Sequence, residues 1–198
     1  MSEVVIIDSG GANLASLEFA LERLGARAHV TSDAAQIAGA ARVILPGVGS
    51  ARDAMQRLRA LDLAERLPRL EQPVLGICLG MQLLYGRSAE GDTHCLGVLP
   101  GSVERLASKP GLPVPHMGWN QLELAARDPL LEGIDTGDYV YFVHSYAAPV
   151  SQATLATSRY GVDVTAIVRR GNFWGTQFHP ERSGRTGAAI LANFLELS

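Results

Sequence analysis

The first half of the chain alternates short apolar runs with stretches in which leucine recurs at helical spacing. Val4–Ile7, Val43–Leu45 and Pro73–Ile77 consist almost entirely of apolar residues, which is typical of parallel strands that are buried on both faces. Between the first two, Leu14–Leu24 repeats leucine at helical spacing and ends before Gly25, a common helix stop. The predicted elements of this half are strands at Val4–Ile7, Arg27–Val30, Val43–Leu45 and Pro73–Ile77, and helices that include Leu14–Leu24, Met55–Leu58 and Leu79–Leu84.

From about Leu96 to Phe178 the pattern changes to short β-rich runs separated by glycine and proline. Because no linker-like segment separates the two halves, we expect these runs to be antiparallel additions to the same sheet. They are Tyr139–Tyr146, Val164–Val168 and Phe173–Phe178, and a last helix with Ile190, Leu191, Phe194 and Leu195 in register follows. The pattern therefore predicts one α/β domain over residues 1–198.

The composition indicates a globular chain that can bury a core. Hydrophobic residues make up 47% of the 198 positions and charged residues 19%, and the net charge is −3, so a nucleic-acid partner is not expected. No apolar run is long enough to cross a membrane, and the segment after Met1 lacks the features of a signal peptide. Cys78 and Cys95 have no CxxC spacing, which argues against a disulfide framework or a structural zinc site. We therefore expect a cytoplasmic enzyme or binding domain.

A cysteine stands between two glycines where the strand Pro73–Ile77 should give way to a helix. Gly76–Gly80 has the form G-x-C-x-G, the thiol version of a nucleophile elbow, in which glycines allow a sharp turn with the nucleophile at its tip. Cys78 would then lie at a helix N-terminus, which favours a thiolate, and the backbone N–H of Leu79 would form half of an oxyanion hole. An isolated G-x-C-x-G fits a buried structural cysteine equally well, but ligands bind at the carboxyl ends of parallel strands.

A cysteine nucleophile needs a base, and His179 is the best placed of the five histidines. In Gln177–Glu181, at the end of a predicted strand, His179 and Glu181 share a face because strand side chains alternate. Pro180 is expected to keep this segment extended and to exclude a helix. His179 would take the proton of Cys78, and Glu181 would orient the imidazole. Without the elbow, the tripeptide would more simply be a strand end with a solvated acid. The other histidines are His29, expected at a strand edge, His94, expected in a surface loop, and His116 and His144.

The second half of the oxyanion hole is expected from Pro46–Gly49, which follows the third predicted strand. Its glycines would let a peptide N–H of Val48 or Gly49 approach the site, although an ordinary tight turn explains the same sequence. Ser9–Gly11 does not match the G-x-G-x-x-G pattern of dinucleotide sites. No metal ligands stand at useful spacing around His94.

These motifs resemble those of the class I, or triad, glutamine amidotransferases. Gly76–Gln82 carries the extended elbow and Gln177–Glu181 the His-Pro-Glu ending, and the likeness runs from Val4 nearly to the C-terminus. Within the family, four further segments resemble the glutaminase subunits that feed a (β/α)8-barrel cyclase of histidine biosynthesis. They are Leu45–Gly49, Pro115–Asn120, Tyr141–Tyr146 and Arg182–Gly184. The resemblance implies a three-layer α/β sandwich with a central, mostly parallel sheet and antiparallel additions.

The resemblance also implies a role for each matched residue. Cys78 is implied to be the nucleophile, His179 the general base and acid, and Glu181 its orienting partner. Hydrolysis of L-glutamine would proceed through a thioester, would need no metal or cofactor, and would pass ammonia to the cyclase in a one-to-one heterodimer. Relatives often have an aromatic residue and a G-x-G-N segment after the first strand, where this chain has Ser9–Asn13. The remaining implied positions are oxyanion donors at Leu79, Val48 and Gly49, glutamine-binding residues Gln82, Ser145 and Tyr146, and partner-facing residues Asn13, Trp119, Asn120, Tyr141 and Arg182.

Three alternatives remain open on the sequence alone. The same glutaminase could serve a different synthase, making pyridoxal phosphate, anthranilate or aminodeoxychorismate, although Trp119, Asn120, Tyr141 and Phe142 argue for the barrel cyclase. A stand-alone cysteine hydrolase acting on γ-glutamyl peptides or small proteins would use the same elbow without a partner. A non-catalytic binding module is the third alternative, and the filled triad positions argue against it.

Overall fold

The strands and helices follow the order that the hydrophobic pattern predicts. The computed structural model describes residues 3–10 and 14–198. In these residues the strands are β1 (Glu3–Ile7), β2 (Arg27–Thr31), β3 (Val43–Leu45), β4 (Val74–Ile77), β5 (Tyr85–Ser88), β6 (Thr93–His94), β7 (Leu99–Arg105), β8 (His116–Gln121), β9 (Glu123–Leu124), β10 (Tyr139–His144), β11 (Tyr146–Ala147), β12 (Thr154–Tyr160), β13 (Val162–Arg170) and β14 (Phe173–Thr176). The helices are α1 (Leu14–Arg23), α2 (Ala34–Ala38), α3 (Ala51–Ala60), α4 (Leu79–Leu83) and α5 (Gly184–Glu196), with 3₁₀ turns at Leu67–Arg69, Pro129–Leu131 and Pro180–Arg182.

An eight-stranded sheet in the order β2-β1-β3-β4-β14-β13-β12-β9 forms the centre of the fold. The strands from β2 to β14 pair in parallel, and β13, β12 and β9 continue the sheet antiparallel. A parallel strand in the interior of such a sheet needs apolar side chains on both faces. The prediction of a mostly parallel sheet with antiparallel additions is thus confirmed.

Two hydrophobic clusters cover the opposite faces of this sheet. Along β1, Val4 and Ile6 belong to the cluster that also contains the buried side chains of α1 and α5. Val5 and Ile7 point the other way and belong to the cluster built by α2, α3 and α4. Alternation along each strand therefore produces three layers, with helices on either side of the sheet.

One predicted addition lies outside the central sheet. The sequence pattern predicts that Tyr139–Tyr146 joins it, but β10 pairs with β8 alone as a separate two-stranded antiparallel ribbon. The run also breaks at Ser145, after which β11 joins a third sheet in the order β11-β7-β5-β6. The cause lies in the alternation of β10, whose outward positions, beginning with Tyr139, are exposed or half-buried. A strand in the interior of the central sheet would be covered on both faces.

No helix in the described part of the chain is long and apolar enough to cross a membrane.

A short helix that the pattern does not predict, α2, begins after Asp33, whose carboxylate accepts hydrogen bonds from the backbone N–H groups of Ala35 and Gln36. Such capping by aspartate stabilises a helix start.

Candidate active site

Cys78 occupies a sharp turn between β4 and α4. Its backbone dihedrals are φ 54° and ψ −110°, a conformation that costs a non-glycine residue about 1–3 kcal/mol. The flanking glycines leave no room for a side chain. A Cβ atom on Gly80 would lie 1.8 Å from the carbonyl oxygen of Leu45, and one on Gly76 would lie 2.8 Å from the backbone of Gly80. The helix can therefore pack directly on the strands, which fixes the turn and presents the thiol at its tip.

His179 and Glu181 form the second part of the site. His179 Nδ1 and Glu181 Oε1 are 2.9 Å apart, so the carboxylate accepts a hydrogen bond from Nδ1–H and leaves Nε2 for the thiol. The predicted pairing is present, but its predicted cause is wrong. Strand β14 ends at Thr176, and Pro180 begins a 3₁₀ turn rather than extending the strand. Proline is tolerated at the first position of a helical turn, where its missing N–H would have no partner.

The electrostatic environment of His179 favours the imidazolium form. Burial alone would lower the pKa of His179. The side chains of Cys78 and Glu181 beside the ring outweigh burial and raise that pKa to about 10. An imidazolium beside a thiol stabilises the thiolate, which is the nucleophilic form of cysteine. A protonated His179 would therefore favour the reactive form of the neighbouring thiol.

The sulfur of Cys78 has further polar neighbours. Cys78 Sγ lies 3.7 Å from the carbonyl oxygen of Val143 and 3.9 Å from the Nε2 atom of Gln177. Leu79 is the first residue of α4, so its backbone N–H has no acceptor within the helix. An N–H group at this position meets the requirement for an oxyanion donor that the sequence predicts at Leu79.

A cavity of about 310 Å³ opens directly on the thiol. Its wall brings together most of the residues that the sequence singles out, from four separate segments of the chain. They are Val48, Gly49, Cys78, Leu79, Gln82, Ser145, Tyr146 and His179. Gly49 has φ +90°, a conformation that glycine adopts without the steric cost of a side chain.

Gln82 braces the cavity wall. It is 4% exposed, and its Nε2 atom donates to the carbonyl oxygen of Tyr146 at 2.9 Å and to the Oε1 atom of Gln177 at 3.0 Å. The side chain thereby connects α4 with the first residue of β11 and with the residue that follows β14.

Glu90 is a wall residue that sequence reasoning missed. It lines the same cavity, and its Oε2 atom accepts a hydrogen bond of 2.7 Å from the backbone N–H of Ala51, at the start of α3. The sequence carries no signal for it, because a single glutamate before Gly91 looks like any loop acid. Only the fold brings this carboxylate to the cavity.

A second, smaller cavity of about 40 Å³ lies on another side of the His179–Glu181 pair. Gly47, Val48 and Ile77 help to line it. The Oε2 atom of Glu181 is buried and has no hydrogen-bond partner among the residues that the structure describes. The space suits a molecule of the size of water or ammonia.

The predicted partner-facing residues divide between the two faces of the β8–β10 ribbon. Trp119 is 55% exposed, its ring centroid lies 5.8 Å from that of Tyr141, and the Arg182 guanidinium lies 4.5 Å from the Tyr141 ring. These three side chains form one exposed row. Asn120 lies on the inner face, where its Nδ2 atom donates to the carbonyl oxygen of Arg159 at 3.0 Å. Asn13 is outside the described residues.

The remaining histidines and the second cysteine lie apart from the reacting atoms or are held neutral. His29 is on the edge strand β2, 2.7 Å from Gln36 Oε1, as predicted for a strand edge. His94 is exposed but belongs to β6 rather than to a loop. Burial raises the pKa of Cys95 to about 11, which keeps its thiol protonated at neutral pH. Burial lowers the pKa values of His116 and His144 to about 4.

Comparison with known proteins gives one consistent result. The family described as glutamine amidotransferase class-I matches residues 5–197. The imidazole glycerol phosphate synthase subunit HisH of Xylella fastidiosa is 55% identical, covering 100% of this chain and 98% of the relative. The subunit of the same name from Xanthomonas axonopodis pv. citri is 54% identical, covering 100% and 99%. Among solved structures, a glutamine amidotransferase of Thermotoga maritima aligns with a TM-score of 0.69 at 17% identity, covering 98% of this chain and 96% of that one. This last likeness concerns the fold.

Proposed function

This chain belongs to the class I glutamine amidotransferases, and from that premise we propose that it is the glutaminase subunit of an imidazole glycerol phosphate synthase in histidine biosynthesis. It hydrolyses L-glutamine to glutamate and ammonia, and the ammonia goes to a cyclase partner. The relatives named for this subunit, at about 55% identity over the whole chain, support that assignment. The observation that carries the chemistry is that Cys78 and His179 line one cavity, with His179 Nδ1 2.9 Å from Glu181 Oε1.

The reaction proceeds in two steps on Cys78. The thiolate attacks the side-chain amide carbon of glutamine, and the tetrahedral intermediate places its oxyanion toward the backbone N–H groups of Leu79 and of Val48 or Gly49. His179 gives its proton to the departing nitrogen, which leaves as ammonia. Water then attacks the thioester with His179 as base, which releases glutamate and restores the thiol.

Charged and polar groups in the wall suit the substrate. A free amino acid carries an ammonium group, and the Glu90 carboxylate faces the cavity that would hold it. Ser145 and Tyr146 line the same cavity, and Gln82 donates a hydrogen bond to the carbonyl oxygen of Tyr146. We assign Glu90 to the ammonium group and the Ser145–Tyr146 segment to the rest of the glutamine backbone, because charge-assisted hydrogen bonds are the stronger ones.

The conformation of the Gly47–Gly49 segment regulates the reaction in this proposal. Its N–H groups are one half of the oxyanion hole, and turning one such donor away costs about 3–4 kcal/mol of barrier, which slows hydrolysis on the order of hundreds-fold. Glycines, with Gly49 at φ +90°, allow that rotation. The free subunit would therefore waste little glutamine, and binding of the cyclase would complete the hole.

The partner is a (β/α)8-barrel cyclase that forms a one-to-one heterodimer through the row of Trp119, Tyr141 and Arg182. With the ammonia it makes imidazole glycerol phosphate and aminoimidazole carboxamide ribotide. Exposed aromatic residues beside arginine are the usual anchors of protein interfaces. Ammonia that is released from glutamine beside His179 enters the small cavity next to Glu181 first. We place the assembly in the cytoplasm, which fits two cysteines that form no disulfide.

Glutamate release by the purified chain tests the proposal, measured with and without the cyclase and its nucleotide ligand. The wild-type complex should hydrolyse glutamine rapidly, the free chain slowly, and the Cys78→Ser complex not at all above background. Full activity of the Cys78→Ser complex would overturn the mechanism. Equal rates for the free chain and the complex would overturn the regulatory role of Gly47–Gly49 and favour a stand-alone hydrolase.

A further inference from the structure

Two buried histidines connect the β8–β10 ribbon with the wall of the glutamine cavity. His116 Nδ1 lies 3.0 Å from His144 Nε2, and His144 Nδ1 lies 2.8 Å from the carbonyl oxygen of Tyr146. At the other end, Asn120 Nδ2 lies 3.4 Å from His116 Nε2. Gln82 donates to the same Tyr146 carbonyl. The chain of hydrogen bonds thus runs from the ribbon to the cavity.

The chemistry of the groups fixes the direction of every bond in this chain. A carbonyl oxygen only accepts, so His144 carries its proton on Nδ1 and its Nε2 is an acceptor. His116 must then donate from Nδ1, which leaves its Nε2 to accept from the Asn120 amide. Both rings are neutral in this arrangement, in agreement with burial that lowers the pKa of each to about 4. All donors point toward Tyr146.

The surroundings hold the two rings in place. The ring of His116 stacks between Tyr160, at a centroid distance of 4.0 Å, and Phe142, at 4.8 Å. His116 and His144 are opposite each other in the ribbon, at one end of its inner face. The outer face of the same two strands carries the exposed Trp119 and the half-buried Tyr141. A shift of one strand against the other would therefore change the bond between the two imidazoles.

Histidines buried in a core and satisfied by hydrogen bonds often serve stability alone. Here the last acceptor is a backbone atom of the cavity wall, at the junction where β10 ends and β11 begins. Tyr146 lines the cavity, and so does His144 itself. The direction of the Tyr146 carbonyl sets the orientation of the neighbouring peptide groups, which face the cavity.

We propose that His116 and His144 are positioning residues, which orient the Ser145–Tyr146 peptide groups to bind glutamine and couple that orientation to the ribbon face that carries Trp119. This inference rests on the proposed glutaminase function and adds a structural link between its partner face and its substrate site. Neither histidine touches the sulfur of Cys78. Their loss is therefore expected to weaken glutamine binding more than it slows the chemical step.

The test compares variants within the complex with the cyclase. In His144→Asn, the amide nitrogen takes the place of Nδ1 and still donates to the Tyr146 carbonyl, whereas His144→Leu removes this donor and leaves that carbonyl with its bond from Gln82. KM for glutamine should rise about tenfold or more in His144→Leu, with kcat changed far less, and His144→Asn should recover most of the loss. Val140→Ala, a buried change on the same ribbon face, should keep the wild-type KM.

Labelling of Cys78 separates positioning from a general structural defect. A diazoketone analogue of glutamine should label His144→Leu more slowly than wild type, while iodoacetamide, which needs no glutamine site, should label both at the same rate. A KM for His144→Leu equal to that of Val140→Ala would overturn the proposal. An equal loss of labelling by both reagents would also overturn it.

A measurement on the wild-type complex covers the case in which His144→Leu does not fold. The ¹⁵N shifts of the imidazole nitrogens should show His116 and His144 as neutral rings with the proton on Nδ1. A proton on Nε2 of either ring in place of Nδ1 would overturn the proposed chain of hydrogen bonds. Failure of the glutaminase function itself would appear separately, as unchanged hydrolysis by the Cys78→Ser complex.

Discussion

At the scale of single residues, the site depends on backbone strain at Cys78 and on charge at His179. Cys78 is one of the few residues other than glycine that have a positive φ in the described part of the chain. Strain of this kind persists only where the surrounding packing imposes it. The strands β3 and β4 and the two glycines of the elbow supply that packing.

Alanine usually makes a helix or strand more stable than glycine does, and the strain at Cys78 should reverse this order at position 78. Because φ is positive, Cys78→Gly should have a free energy of unfolding about 1 kcal/mol higher than Cys78→Ala. In the middle of α5, Ala188→Gly should instead lower that free energy by about 1 kcal/mol. Urea unfolding of the three variants measures both differences. A Cys78→Gly variant no more stable than Cys78→Ala would mean that the turn is not strained.

The raised pKa of His179 predicts a pH dependence of stability. A histidine whose pKa is higher in the folded than in the unfolded chain stabilises the fold fully below its unfolded pKa, and this contribution disappears as pH rises through the folded value. The stability of the wild type relative to His179→Gln should therefore decline between pH 6.5 and about 10. Chemical denaturation of both proteins across this range tests it, and a constant difference would contradict the imidazolium assignment.

Residues of the site differ in how well sequence could reveal them. Cys78 and His179 stand in motifs whose chemistry can be recognised, and the structure places both at one cavity. Glu90 stands in no motif, and nothing in the segments Pro115–Asn120 and Tyr141–Tyr146 marks His116 and His144 as a pair, because these positions depend on which loops and strands the fold brings together. The predicted His179–Glu181 pairing depends on an extended segment that does not exist, since Pro180 opens a 3₁₀ turn.

At the scale of elements, the elbow depends on the direct contact of α4 with the sheet. A Cβ atom on Gly80 would overlap the Leu45 carbonyl oxygen at 1.8 Å, and neither partner is a flexible side chain. The β3, β4 and α4 segments must therefore move apart to admit any side chain at this position. Motion of that kind would displace Cys78 from the cavity.

Gly80→Ala should consequently lower the free energy of unfolding by about 3 kcal/mol and abolish glutaminase activity. The matched control is Gly86→Ala in β5, where an added Cβ meets nothing closer than 3.5 Å, and its stability should change by less than about 0.5 kcal/mol. Thermal and urea unfolding of the two variants give the comparison. Equal stabilities would show that helix α4 does not lie against β3 as described.

Most elements of the fold could be predicted from periodicity, and the exceptions have physical causes. The strands β1, β3 and β4 are apolar at nearly every position, and α1, α3 and α5 repeat apolar residues at helical spacing. The prediction for the ribbon strand β10 names the wrong sheet because pairing partners are set by tertiary contacts. An alternating run fits any sheet with one exposed face.

At the scale of the whole molecule, the exposed row on the ribbon is the proposed docking face. Trp119, Tyr141 and Arg182 lie side by side on β8, β10 and the turn that carries the catalytic pair. Tyr141 also accepts a hydrogen bond of 3.0 Å at its carbonyl oxygen from the backbone N–H of His179. A partner bound to this face would therefore contact elements that position the active site.

Trp119→Ala should weaken binding of the cyclase by about 30-fold or more, because a central tryptophan is a typical interface anchor. Val162→Ala serves as the control, since Val162 is equally exposed but belongs to β13 and not to the row of Trp119, Tyr141 and Arg182. The equilibrium dissociation constant of the complex, measured by titration calorimetry, distinguishes the two variants. Unchanged affinity of Trp119→Ala would move the docking face elsewhere or point to a different partner.

The most direct test of Cys78 as the nucleophile is to trap the covalent intermediate. The complex with the cyclase is mixed with glutamine, quenched in acid during turnover, digested and examined by mass spectrometry. The peptide that contains Cys78 should carry one γ-glutamyl group, which hydroxylamine removes, and neither the Cys95 peptide nor the Cys78→Ser protein should carry it. Rapid turnover without any adduct on Cys78, or with the adduct on Cys95, would contradict the proposed mechanism.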